Sequence, residues 1–152
     1  MKIKSILAGT LLAFSCTLMA QENVYIFTKV VENPATPIKD QAETGTCWCF
    51  GTTSFIESEL IRTGKGEFDL SEMFTVRHNY RHRIFDNYIR EGQGGIVEGS
   101  LGHMAINMMD KYGLVPQSAY GGINYDSPKH DHNELSEYVA ALASVTTKSG
   151  VM

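Results

Sequence analysis

The chain has 152 residues, 43% of them hydrophobic and 20% charged, enough for one modest domain with a real core. A net charge of −4 excludes the broad basic face that nucleic-acid binding requires. Seven methionines, seven phenylalanines and seven tyrosines exclude a chain that is disordered for want of apolar side chains.

Residues 1–20 read as a secretory signal. Lys2 and Lys4 make a positive start, Ile6 to Leu12 opens an apolar run that continues to Met19, and Ala20 is a small residue at a cleavage point before Gln21. The run is too short for a comfortable transmembrane helix. Acylation at Cys16 is disfavoured by the bulky Phe14 in its flank. No second hydrophobic span follows, so the expected mature chain is soluble, without a membrane span, and exported to the periplasm or beyond.

Residues 21–39 look extended: Val24, Ile26 and Val30-Val31 suit a strand, interrupted by Pro34 and Pro37. Four helices are predicted after them. The first runs from Cys47 to Arg62, with Thr52, Ile56 and Leu60 on one face, Phe55 beside them, and Gly64 as its stop. The second begins near Ser71 and Glu72, with Phe74, Ile84, Phe85, Tyr88 and Ile89 as its apolar side, and ends at Gly92. Residues 91–95 read as a flexible loop. The third has the cleanest periodicity, with Leu101, Met104, Ala105, Met108, Met109 and Tyr112 in register and Gly113 closing it. The fourth begins about Asn133, with Leu135, Tyr138, Val139 and Leu142 on one face. The chain is therefore expected to be mostly helical.

Once the signal is removed, the cysteines are Cys47 and Cys49. Two residues apart at a helix start, they lie about 200° apart around the axis, so a disulfide between them would break the helix. Both are expected as free thiols. The thiolate is the reactive form of cysteine, and a helix N-terminus favours negative charge. Cys47 stands at such a start, just after the turn residue Gly45. Acyl transfer also needs donors aimed at the developing oxyanion; the Cys47 backbone N–H and the Gln41 side-chain amide, six residues earlier, are the candidates. Cys49, on the other side of the helix, is expected to pack.

The stretch from Gln41 to Phe50 resembles the papain superfamily of cysteine peptidases. Gln41, Cys47, Trp48 and Phe50 fall on its glutamine, its Cys-Trp pair and the aromatic that follows. Thr44 and Thr46 replace the first cysteine and the small residue of the common C-G-[SA]-C-[WY] signature. That loss suits the bleomycin hydrolase and aminopeptidase C branch. Asp69-Leu70-Ser71-Glu72 and Lys111-Tyr112-Gly113-Leu114-Val115-Pro116 also resemble that branch. Where relatives have a Gly-Gly pair lining the substrate cleft, this chain has Gly99-Ser100.

The resemblance implies an α+β papain-like fold, with residues 21–152 forming the helical N-terminal part and the second, strand-rich domain missing. It implies peptide hydrolysis through an acyl-enzyme, with aminopeptidase-type trimming, peptide substrates and a homo-oligomer. Cys47 and Gln41 would be catalytic; Gly99, Ser100 and Trp48 would bind substrate, with Trp48 chiefly shielding the site. No cofactor and no metal is implied. The catalytic His and Asn of such enzymes come roughly 130–150 residues after the cysteine, farther than this chain extends. His78, His82, His103, His130 and His132 are each expected to be surface or structurally satisfied residues, so the chain as it stands is expected to be inactive. Two other readings stand beside this one. One is a non-catalytic interaction scaffold. The other is an exported thiol or metal-binding module, built from Cys47-x-Cys49 and His130-x-His132.

Overall fold

The computed structural model describes residues 25–148, so the expected signal segment, with its cleavage point at Ala20 and with Cys16, lies outside the described residues. Residues 25–32 belong to a separate unit of the chain. They are exposed and carry no strand, contrary to the extended pairing expected of Ile26 and Val30-Val31. A strand needs a neighbour for its backbone donors and acceptors, and no ladder forms with this segment among the described residues. Within it, Lys29 pairs with Glu32 at 2.7 Å, both well exposed.

The second unit contains four helices: α1 (Cys47–Arg62), α2 (Glu72–Ile89), α3 (Gly102–Tyr112) and α4 (Asn133–Lys148). α2 is the hub, packing against each of the other three, while α1 also packs on α3. Its start is set by Ser71, whose hydroxyl accepts from the Phe74 amide at 3.1 Å, satisfying one of the free donors of the first turn. The same hydroxyl donates to the Tyr120 carbonyl at 2.6 Å. The Ser71 amide donates to the Val115 carbonyl and the Gln117 amide to that of Asp69, forming an isolated antiparallel bridge between Leu70 and Pro116. Two separated sequence motifs thus meet in space. α3 ends at Gly113, whose φ of 80° lies in the left-handed region, where a side chain is disfavoured.

The core gathers Trp48 and Cys49 from α1, Met73, Val76 and Tyr80 from α2, and Ala105 and Met109 from α3, with Val139 of α4 packed against it. The helix positions were legible, but several buried faces are not those the apolar spacing suggests. α1 buries Trp48, Cys49, Thr53 and Glu57, and leaves Phe55 65% exposed. α2 buries its N-terminal half, and Phe85 and Ile89 are exposed. On α4, Ala143 is buried while Leu135, Tyr138 and Leu142 are exposed.

The reason on α1 is a buried ionic cluster. Glu57, 1% exposed, accepts from Lys39 Nζ at 3.0 Å, from the Leu70 amide at 2.7 Å and from the Thr36 hydroxyl. Lys39 Nζ also bonds Glu72 at 3.0 Å, Asp69 at 2.8 Å and the Leu70 carbonyl at 2.7 Å. Burial alone would lower the Lys39 pKa, but its bonds to Asp69, Glu72 and Glu57 outweigh it and hold the ammonium above its usual range. Burial pushes the Glu72 carboxyl up. Glu57 occupies the deep face of α1 because the entry segment brings its counter-charge, Lys39, with it.

Candidate active site

The turn before α1 is tightly bonded to itself. Gln41 Nε2 donates to the Thr44 carbonyl at 2.6 Å, and the Thr44 hydroxyl donates back to the Gln41 carbonyl at 2.9 Å. The Thr44 and Thr46 hydroxyls lie 2.5 Å apart, with both residues buried. Between Gln41 and Thr44, Ala42 adopts a φ of 50°, rare for a residue with a side chain. It is held there by the Asp40 carboxylate, which accepts from the Ala42 amide at 2.8 Å. Backbone strain of this kind persists only where the surroundings over-determine it, and it gathers at functional sites.

From this turn the chain enters α1 at Cys47. The Thr46 carbonyl accepts from the Cys49 amide at 2.9 Å, and no acidic residue occupies the first helical turn. Cys47 is a free, exposed thiol, and Cys49 is free and buried. The Cys49 thiol reaches the Glu72 carbonyl at 3.5 Å, and burial pushes its pKa up to about 12. The two thiols are chemically unlike: one is presented to solvent at a helix N-terminus, and the other is locked in the core as a thiol.

Facing the turn is the segment between α2 and α3. Its composition suggests flexibility, but it is anchored at several points. Asn87 Nδ2 donates to the Gly94 carbonyl at 2.6 Å, and Arg83 donates to the carbonyls of Gly95 at 3.1 Å and Gly99 at 2.7 Å. Trp48 Nε1 donates to the Glu98 carbonyl at 3.0 Å. The Glu98 carboxylate accepts from the Gly45 amide at 2.6 Å and the Tyr80 hydroxyl at 2.8 Å, and meets His132 Nδ1 at 3.0 Å. Burial would raise the Glu98 pKa, but the Gly45 amide, the Tyr80 hydroxyl and His132 outweigh it and hold the carboxyl below its usual range. Behind the turn, Glu43 forms a parallel bridge with Asp131: its amide donates to the His130 carbonyl and its carbonyl accepts from the His132 amide, each at 3.1 Å.

The residues singled out by sequence therefore fall on one neighbourhood, in different settings. Gln41 and Cys47 flank the bonded turn. Gly99 is exposed, and a side chain there would meet only open space. Ser100 is half-buried. Trp48 is 7% exposed and sits in the core cluster, tying α1 to the 98–100 segment through its indole N–H. Glu98 and Tyr80 have no place among the residues singled out by sequence, and His132 enters there only as a histidine of the metal-binding alternative. An acid immediately before the Gly99-Ser100 pair is the one local sign of Glu98, Tyr80 has none, and nothing local shows that His132 converges with them.

Three of the histidines have partners other than Cys47. His78 stacks on Tyr112 with centroids 3.9 Å apart, His130 lies edge-on to Phe50, and His132 bonds Glu98. His103 is exposed on α3 and His82 half-buried on α2. Among the described residues no group of three or more His, Cys, Asp or Glu is arranged to hold a metal ion, and no helix is long and apolar enough to cross a membrane. Two hollows of about 810 and 820 Å³ lie elsewhere, one lined by Lys39, Asp40, Phe50 and His130, the other by Met73, Tyr80, Tyr120 and Leu135. Neither is lined by Cys47, which stands on an open face.

An exposed cysteine thus opens a helix, preceded by a glutamine turn and followed by a buried tryptophan. The family model described as papain family cysteine protease matches residues 27–150, and the chain belongs to that family. Among individual relatives it is similar to the mitochondrial cysteine proteinase 1 of Saccharomyces cerevisiae, in strains S288c and EC1118 alike, at 24% identity over 128 residues. The match covers 73% of this chain and 26% of the relative, so the chain spans about a quarter of the length of the curated relatives it matches.

Proposed function

We propose that Cys47 is the nucleophile of a papain-type peptidase that hydrolyses peptide bonds. The observation that carries this is the contrast between the two free thiols: Cys47 exposed at the N-terminus of α1, Cys49 buried. In this reaction the Cys47 sulfur attacks the scissile carbonyl carbon, forming the S–C bond of an acyl-enzyme. The C–N bond breaks and the amine leaves with a proton supplied by an imidazolium; water then releases the acid and restores the thiol. The Cys47 amide and the Gln41 amide stabilise the oxyanion. Gln41 Nε2 spends one of its two hydrogens on Thr44, leaving the other for a ligand. Gly99 and Ser100 line the substrate cleft, with open space at Gly99 for a peptide backbone.

The finer reading is the bleomycin hydrolase and aminopeptidase C branch, with aminopeptidase trimming and a complete α+β fold in which a strand-rich half carries the base and its orienting residue. Homo-oligomerisation and export after cleavage at Ala20 belong to the same reading. The Thr44 substitution, the Asp69–Glu72 and Lys111–Pro116 motifs and the 24% identity support the branch. The Lys2/Lys4 start and apolar run support export.

The test of the nucleophile is labelling with a peptidyl electrophile, read by mass spectrometry. We expect modification at Cys47, none in Cys47→Ala, and undiminished labelling in Cys49→Ala. Labelling spread equally over both thiols, or none at Cys47, overturns the assignment. For export, N-terminal sequencing of the secreted protein is expected to begin at Gln21; a chain that keeps Met1 or begins at a lipidated Cys16 refutes it.

A further inference from the structure

We infer that Glu98 is a positioning residue for the nucleophile: its carboxylate holds the Gly45 amide and so fixes the turn that aims Cys47 and Gln41. The inference rests on the reading of Cys47 as the nucleophile.

The geometry is specific. Gly45 lies 53 residues from Glu98 in the chain, yet its amide donates to Oε2 at 2.6 Å, the short distance of a charge-assisted bond. A Cβ on residue 45 would meet Glu98 Cβ and Oε2, each at 2.9 Å, so the contact requires glycine. Gly45 is the link between the Gln41–Thr44 turn and the Thr46 carbonyl that opens α1. Holding its amide therefore fixes both the amide that would meet the oxyanion and the thiol that would attack.

Glu98 is itself held by unrelated parts of the fold. Oε1 accepts from Tyr80 of α2 and meets His132, which precedes α4, while its carbonyl is fixed by Trp48 of α1. His132 in turn is tied to Glu43 through the backbone bridge. One carboxylate thus joins both sides of the nucleophile turn to the helical core. A misplacement of about 1 Å at a reacting group costs on the order of 100-fold in rate, so such a brace has kinetic weight.

The experiment uses the full chain and its Glu98→Ala, Glu98→Gln and Gly45→Ala variants. Three quantities are read: the rate of Cys47 modification by a peptidyl electrophile, the rate with iodoacetamide, and hydrogen exchange at the Gly45 amide in every variant that keeps the amide bond. In Glu98→Ala we expect the peptidyl rate to fall on the order of tenfold or more while the iodoacetamide rate changes less than threefold, and Gly45 exchange to rise. A merely structural role would move both rates together. Glu98→Gln keeps a carbonyl acceptor for Gly45, so it should recover most of the peptidyl rate; Gly45→Ala should match Glu98→Ala. A selective peptidyl electrophile that labels Cys47 equally fast in wild type and Glu98→Ala overturns this inference alone. A wild-type Cys47 that is no more reactive than the background of Cys47→Ala overturns the nucleophile reading, and the positioning role with it.

Discussion

Lys39 Nζ and Glu57 Oε1 are 3.0 Å apart, joining the segment that leads into the nucleophile turn to the buried face of the nucleophile helix. Glu57 has almost no solvent of its own, and its remaining partners are the Leu70 amide and the Thr36 hydroxyl. Lys39→Met would leave Glu57 and Glu72 buried without counter-charge. The expected loss is roughly 3–5 kcal/mol, the usual cost of removing one partner of a buried pair. Urea unfolding followed by circular dichroism measures it, and a loss under about 1 kcal/mol, the scale of an exposed pair, would contradict the account.

The same lysine sets a limit on the alkaline side. Its pKa is raised in the folded protein, so the folded state holds this proton more tightly than the unfolded chain does. Its contribution is therefore complete below the unfolded pKa of about 10.4 and is lost as pH rises through the folded value. Stability between about pH 10 and 12 should fall more steeply in the wild type than in Lys39→Met, as measured by urea midpoints across that range.

On the acid side the corresponding group is Glu98. Its folded pKa is lowered, so its contribution is present above the unfolded value of about 4.3 and is lost as pH falls through the folded one. Glu72 works the other way: its carboxyl is raised, and protonation in acid relieves part of its burial. The difference between the wild type and Glu98→Gln isolates the first effect. That difference should shrink as pH drops from 5 towards 3, and a constant difference would remove Glu98 from the acid transition.

Cys49→Ser tests the packing reading from another direction. The thiol is fully buried and touches Glu72 and Thr53. A hydroxyl in this place carries more polarity into the core, so thermal stability should fall by about 1–3 kcal/mol. Labelling of Cys47 should remain within about twofold of wild type, since Cys49 takes no part in the chemistry.

The 152-residue chain is not expected to turn over peptides by itself. His78 stacks on Tyr112, His130 lies edge-on to Phe50 and His132 bonds Glu98, and none of the five histidines bonds Cys47 among the described residues. Without an imidazolium the leaving amine has no proton donor. Fluorogenic dipeptidyl and N-blocked substrates provide the assay. Turnover that disappears in Cys47→Ala would show that one of the five serves as base.

The helices and the nucleophile were legible in the sequence because their signals are local. Ser71 before Glu72, Gly113 after Tyr112, and Gln41, Cys47 and Trp48 in fixed spacing each declare a role within a few residues. The buried faces were less so. Hydrophobic periodicity named Ile56 and Leu60, whereas the largest fully buried side chain of α1 is Glu57, made burial-tolerant by a lysine 18 residues away. Residues 91–95 read as a flexible loop from their glycines, but the stretch from Gly94 to Gly99 is anchored by side chains of Arg83, Asn87 and Trp48 that only the folded chain brings to it. Convergence of Tyr80, Glu98 and His132 is likewise a property of topology, with no period or motif to announce it.

Trp48 is the single tryptophan of the chain, and it follows the proposed nucleophile directly. Its ring is buried in the core while its N–H is bonded to the carbonyl of Glu98. Tryptophan emission shifts with the polarity and hydrogen bonding of the indole, so this sequence carries one indole reporter, separable from its seven tyrosines by excitation at the red edge and placed where α1 meets the segment that braces the nucleophile turn. Emission would report the integrity of that junction without an added dye: the native protein should emit toward the blue, and loosening of the 98–100 segment should send the signal red even while the helices stay folded.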